Sequence, residues 1–206
     1  LPTVIKVIMT RSCSLPASLF ILIVLSLPIE ILKAQDYTPV SRYYVEQSGG
    51  YSPLYNGKIP PMYNMLYEGT YFLESDAYYP GTVQYKGKLY VDLELNLNVH
   101  RDELYVRIPE YNSGSVLLKA HVESFIMGDM QFINIVKEKY PAAPAEGYYR
   151  VLYSGDDISV LKRTTKRMNS ATIANDRKVT QVFEESISYY FLKNGDFHPV
   201  KNKSSV

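Results

Sequence analysis

Asp92 and Glu94 stand two residues apart in the most regular stretch of the chain. An extended strand places both on one face, near the separation that paired carboxylates need for glycoside hydrolysis. The same row continues through Asn96 and Asn98, and such a row is what the solvated side of a half-buried sheet looks like. The row is therefore expected to be a wet strand face, with a carboxylate-dependent hydrolase as the catalytic alternative. His100, Arg101 and Asp102 come directly after it and resemble the catalytic loop of protein kinases. The position five after the aspartate holds Arg107 where that loop needs asparagine, and no glycine-rich phosphate loop precedes it, so a strand end entering a turn is expected instead.

The remaining chemistry is sparse. His100, His121 and His198 fall in neither HxH nor HxxxH spacing, and no metal is expected. There is no GxSxG elbow and no thiol beyond Cys13, which argues against nucleophilic catalysis. No cofactor motif is present, and no cofactor or enzymatic activity is expected. The one compositional excess is tyrosine, 20 in all against 7 phenylalanines and no tryptophan. Tyrosine faces stack on sugars and supply rigid contact area to proteins. Tyr43, Tyr44, Tyr51, Tyr55 and Tyr63 form the expected binding surface, for an envelope protein or a glycan. The competing reading is that these rings pack across strands and fasten an irregular segment to a sheet.

The elements that must position these residues fall into three stretches. Residues 1–34 carry Lys6 and Arg11 ahead of an apolar run from 15 to 29 broken by Pro16 and Pro28. This is a signal-peptide layout, too short and too interrupted for a membrane span, with cleavage expected after Ala34 and Met9 as a candidate start. Cys13 precedes the run, so neither a lipid-bearing cysteine nor a disulfide is expected in the exported part. With 22 basic and 21 acidic residues overall, the chain lacks the basic balance that nucleic acid would favour, and no nucleic acid is expected as partner. Membrane association stays open.

Residues 35–80 hold half of the tyrosines among Pro39, Pro53, Pro60, Pro61, Gly49, Gly50 and Gly57. This predicts a wrapping segment of short strands and turns ending in a strand near 71–74. Residues 81–206 change to period two: Val91, Leu93, Leu95, Leu97 and Val99 alternate with polar residues, and Lys86-Gly87 predicts a hairpin turn before them. Further runs at 103–108, 116–124, 125–127, 131–136, 148–153, 158–164, 179–184 and 189–192 are separated by glycine-bearing turns such as Asn194-Gly195. Residues 167–178 are expected to be a loop, with Lys162, Arg163 and Lys166 at a solvated hairpin tip. The fold expected is mainly β, one antiparallel meander forming a sandwich or small barrel. Ser204 and Ser205 are good helix N-caps, which predicts a further helix beyond them.

Several of these segments resemble those of exported β-rich proteins of Bacteroidota that have no assigned activity. The resemblance rests on Gln35-Asp36-Tyr37, on Tyr85-Lys86-Gly87-Lys88-Leu89-Tyr90-Val91-Asp92, and on Gly147-Tyr148-Tyr149-Arg150-Val151-Leu152-Tyr153. It continues through Tyr189-Tyr190-Phe191-Leu192-Lys193-Asn194-Gly195, His198-Pro199-Val200-Lys201 and Lys203-Ser204-Ser205. It implies export to the periplasm, the outer membrane or the medium, a β domain and a C-terminal helical stretch, and it brings no activity with it. The function expected is a structural or binding β module of the cell envelope, with a small outer-membrane barrel as an alternative on the strength of the ten-residue alternation at 91–100.

Overall fold

The computed structural model describes residues 52–109, 111, 113–172 and 179–200, together with positions 39, 40, 42, 43 and 47. The chain divides into two compact units, Leu1–Asp36 and Tyr37–Val206. The first unit, with the expected leader and Cys13, lies outside the described residues, as do Tyr44, Tyr51, residues 173–178 and the end from 201. The β sheet belongs to the second unit.

Among the described residues eleven strands make that sheet: β1 (Tyr67–Glu68), β2 (Tyr79–Tyr85), β3 (Lys88–Asn98), β4 (Glu103–Arg107), β5 (Gly114–Val116), β6 (Val122–Met127), β7 (Met130–Ile135), β8 (Gly147–Ser154), β9 (Ile158–Thr172), β10 (Val179–Lys193) and β11 (Asp196–Pro199). The order is β1-β10-β9-β8-β7-β6-β2-β3-β4-β5, with β11 also on β10. The mainly β, antiparallel expectation holds, with one parallel pair, β1 on β10. The chain runs as two meanders, β2 to β5 and β6 to β11, joined first strand to first strand by the pairing of β2 with β6.

The turns are set by residue type. Lys86 and Gly87 both have positive φ, 51° and 72°, the conformation a two-residue hairpin requires and one that glycine adopts without a Cβ penalty. Asn194 and Gly195 repeat it at 51° and 89°, which turns β10 into β11. At Asn98 the side chain makes the β3–β4 turn, its Oδ1 accepting from the amides of His100 (3.1 Å) and Arg101 (3.0 Å).

The sheet curls and buries its inner face. Val83, Tyr85, Leu93, Leu95, Leu97, Leu104, Val106, Phe125, Met127, Phe132 and Tyr148 share that core. Phe125 and Phe132 are cross-strand neighbours with rings stacked at 4.7 Å, and Tyr148 meets Phe125 edge-on at 5.2 Å, an arrangement that aromatic quadrupoles favour. The curl brings β9 to the end of β3, where the Lys166 amide donates to Val99 O (3.3 Å) and His100 Nδ1 lies 3.0 Å from Lys166 O. These are isolated contacts and not a ladder: the sheet does not close, which corrects the barrel option.

Its outer face is covered twice. Ile135, Ala143, Tyr149 and Leu161 form one small core with Tyr140, Tyr190 and Phe197. Phe72, Tyr105 and Val116 form another with Tyr71 and Tyr78, so the tyrosine-rich segment does wrap the sheet.

Four local expectations are corrected. Residues 167–172 are strand, because β9 and β10 pair residue for residue from Val179↔Thr172 to Lys193↔Ile158. Polar residues on both faces hid that hairpin, since no alternation exists to be seen. Lys162, Arg163 and Lys166 accordingly lie within β9 and away from its tip. The run at 116–124 is broken by a 3-10 turn at Lys119–His121. The expected strand at 71–74 is reduced to a single bridge, Phe72↔Asn98. Positions 39, 40, 42, 43 and 47 have helical backbone, which Pro39 permits through its fixed φ.

Candidate binding groove

A short anchor begins the site. Ser52 Oγ accepts from the Leu54 amide (3.4 Å) and caps the 3-10 turn Pro53–Tyr55, which sinks Leu54 and Tyr55 into the core. Gly57 then passes so close to β5 that an added Cβ would stand 1.9 Å from Val116 O. Lys58 bonds Val116 in both directions, at 3.0 and 2.8 Å. Pro60 and Pro61 come next, and proline has no amide hydrogen to extend the pairing. The chain therefore leaves the sheet edge there, exposing Ile59 at 91 % and Met62 at 87 %.

Tyr63 re-anchors it by stacking on Tyr71 (4.4 Å, 25° between planes) and meeting Phe183 edge-on at 5.8 Å. His100 completes this cluster at 5.2 Å from Phe183.

Between the arched segment and β5 lies a groove of about 840 Å³, lined by Tyr55, Tyr63, Tyr71, Tyr78 and Tyr105 among others, with Lys58, Asn64, Asp76, Ser113 and Ser115 supplying polar groups. Tyr105 is held by its neighbour Asn98, whose Nδ2 donates to the phenol oxygen (3.0 Å). The Arg107 guanidinium lies 4.5 Å over the Tyr78 ring. Burial raises the Tyr71 hydroxyl to about 12 and raises those of Tyr105 and Tyr78 above their ordinary value, with Arg107 pulling Tyr78 partly back. All three stay neutral at physiological pH; Tyr71 and Tyr78 are half-buried, whereas Tyr105 is buried and backs the groove. The Tyr63 hydroxyl is buried with no hydrogen-bond partner among the described residues.

Two of the five tyrosines expected from the sequence, Tyr55 and Tyr63, therefore line one groove. Tyr43 is 65 % exposed and is not among the lining residues, while Tyr44 and Tyr51 lie outside the described residues. Tyr71, Tyr78 and Tyr105 were missed. Tyr71 and Tyr78 belong to the same tyrosine-rich stretch, and Tyr105 sits on a strand where nothing in sequence distinguishes it from a core residue.

The other candidates are engaged structurally. Asp92 takes Arg42 at 2.5 Å and Glu94 takes Arg107 at 2.8 Å, so each carboxylate has its own cation. Asp102 accepts from the Tyr148 amide (3.2 Å) and from Lys119 Nζ, which ties the β3–β4 turn to β8. The three histidines lie apart: His100 in the aromatic cluster, His121 edge-on to Tyr85 and His198 exposed on β11. Among the described residues no three His, Cys, Asp or Glu converge to hold a metal.

No family model, curated protein or solved structure matches the chain. The groove itself must therefore carry the functional reading.

Proposed function

We propose that this chain is a non-catalytic binding module of the cell envelope, exported behind a cleaved leader, and that the tyrosine groove is its contact surface for an envelope glycan. The observation that carries this reading is that half-buried Tyr63, Tyr71 and Tyr78 share one open groove with Asn64, Asp76 and Ser113, backed by the buried Tyr55 and Tyr105. Sugars present flat C–H faces ringed by hydroxyls, and rigid aromatic rings with amide, carboxylate and hydroxyl groups beside them complement both. The compartment rests on the leader-like layout of residues 1–34 and on the resemblance of the strand and turn motifs to exported proteins of Bacteroidota.

Isothermal titration against soluble peptidoglycan fragments and envelope oligosaccharides tests it. Tyr63→Ala and Tyr78→Ala should each weaken binding about tenfold, the effect of losing one aromatic contact. Absence of binding to every glycan, or binding indifferent to both substitutions, refutes the proposal.

A second reading is an extended peptide pairing with β5. Leu117 N donates to Leu104 O and Ile108 N donates to Ser113 O; by alternation Val116 and Gly114 turn their backbone groups away from β4. Lys58 satisfies Val116, but the residue that would face Gly114 is Pro60, leaving that edge open to a further strand. Saturable binding of peptides but not glycans would favour this reading.

A further inference from the structure

A second cavity, of about 210 Å³, lies on the inner face of the sheet; Tyr71 and Phe72 line the groove, whereas the following Leu73 and Glu74 line this cavity. Its floor is apolar and includes Phe132 and Tyr148, and its charged lining is Glu74, Arg150, Lys162 and Glu185. Arg150 and Lys162 are direct cross-strand partners on β8 and β9. Like charges placed opposite each other on adjacent strands repel, and none of the four ion pairs among the described residues includes either one. Glu185 and Glu74 are likewise in no ion pair there, although Glu185 stands opposite Lys166 on β9 and acts on its charge, and Glu74 accepts weakly from the Tyr79 hydroxyl at 3.5 Å. The fold thus holds two half-buried cations side by side and two exposed carboxylates near them, over an apolar floor.

The cavity also has an apolar extension. Lys162 pairs with Tyr189 and Thr164 with Ile187, so Tyr189 and Ile187 share the face of the charged lining. Both remain about two-fifths exposed, at 41 % and 40 %, which leaves an uncovered apolar ledge opposite two residues of the lining, Lys162 and Thr164. A volume of about 210 Å³ is below the roughly 300–1,000 Å³ of pockets for drug-sized ligands and suits a smaller molecule.

We propose that this cavity binds a free α-amino acid with an apolar side chain. Its carboxylate lies between Arg150 and Lys162, its ammonium faces Glu74 and Glu185, and its side chain rests on Ile187 and Tyr189. A zwitterion meets the basic pair and the carboxylates at once, whereas a simple anion leaves Glu74 unmatched and a simple cation leaves the basic pair repelling. The proposal does not depend on the groove, with which the cavity shares no lining residue.

The experiment is isothermal titration of the full chain with L-leucine, N-acetyl-leucine and leucinamide. L-Leucine should bind one to one with Kd below about 1 mM, and either blocked form should bind at least about tenfold more weakly. Arg150→Gln and Glu185→Gln should each weaken leucine binding about tenfold or more. Arg150→Gln removes a like-charge contact, so its thermal midpoint should equal or exceed that of the parent, which separates lost binding from lost folding. No binding of leucine, equal binding of the blocked forms, or full binding by a folded Arg150→Gln variant each overturns the proposal. Glycan binding at the groove should be unchanged in these variants, so the two proposals fail separately.

Discussion

Asp92 and Glu94 occupy one half of β3, and Asn96 and Asn98 the other, at identical spacing on what the sequence presents as one polar row. Asp92 and Glu94 are exposed, while Asn96 and Asn98 are fully buried. A bulge also marks the exposed half: Gly81 pairs with Leu93 but Val83 pairs with Tyr90, so Val91 and Asp92 together oppose Thr82, and Asp92 takes a positive φ of 54°. The difference between the halves comes from a distant segment. Residues 71–75 run along β3 beyond the start of β2, with Leu73 N donating to Leu97 O (2.9 Å), Val99 N donating to Tyr71 O (3.1 Å) and Asn96 Nδ2 donating to Ser75 O (3.0 Å).

Lys166 secures that cover from β9. Its Nζ donates to Thr70 O (3.0 Å) and Phe72 O (2.5 Å), gathering carbonyls that have no strand partner. Burial lowers the ammonium's pKa, and Glu185 and Asp76 oppose that shift. A polar row is therefore a solvated surface where nothing covers it and a fully bonded interior where something does. Burial without such bonds would be costly.

The sharpest way to break the contrast is Asn98→Ala. It strips partners from the Tyr105 hydroxyl and from two turn amides, and should cost about 2–4 kcal/mol in urea denaturation, the sum of several unsatisfied buried groups. Next comes Lys166→Met, which keeps the aliphatic stem but drops the carbonyl contacts. It should cost about 1–3 kcal/mol and should speed proteolysis within residues 60–75 more than elsewhere. A uniform change in cleavage along the chain would contradict the anchoring role of Lys166. At the smallest end, Asp92→Asn and Glu94→Gln should each change stability by no more than about 0.5 kcal/mol, since exposed ion pairs contribute little. Asparagine also tolerates the positive φ at position 92. An effect on the scale of Asn98→Ala at either position would mean that the exposed half of the row is coupled to the core.

Only part of the candidate groove was legible from sequence, and the reason is specific. Tyr55 and Tyr63 stand out because they sit among prolines, where no regular element can absorb them. Tyr105 does not, because a strand tyrosine looks the same whether it faces a core or a groove. The inner cavity was invisible: Arg150 and Lys162 are twelve residues apart in sequence and become neighbours through strand pairing alone. The β9–β10 hairpin was underestimated in length for a related reason, since a strand with polar residues on both faces carries no period-two signal.

By itself the sequence determined the extended backbone, the hairpin turns at Lys86-Gly87 and Asn194-Gly195, and the apolar face of β3 from Leu93 to Leu97, because these depend on φ preferences and on neighbours two residues away. It did not determine the bulge that puts Tyr90 in place of Val91 in the core. Only the tertiary structure decided which polar residues meet water, how far the sheet curls and where the groove and the cavity lie. Those outcomes depend on contacts between residues tens of positions apart, such as Lys166 with Phe72, whose pairing no local pattern records.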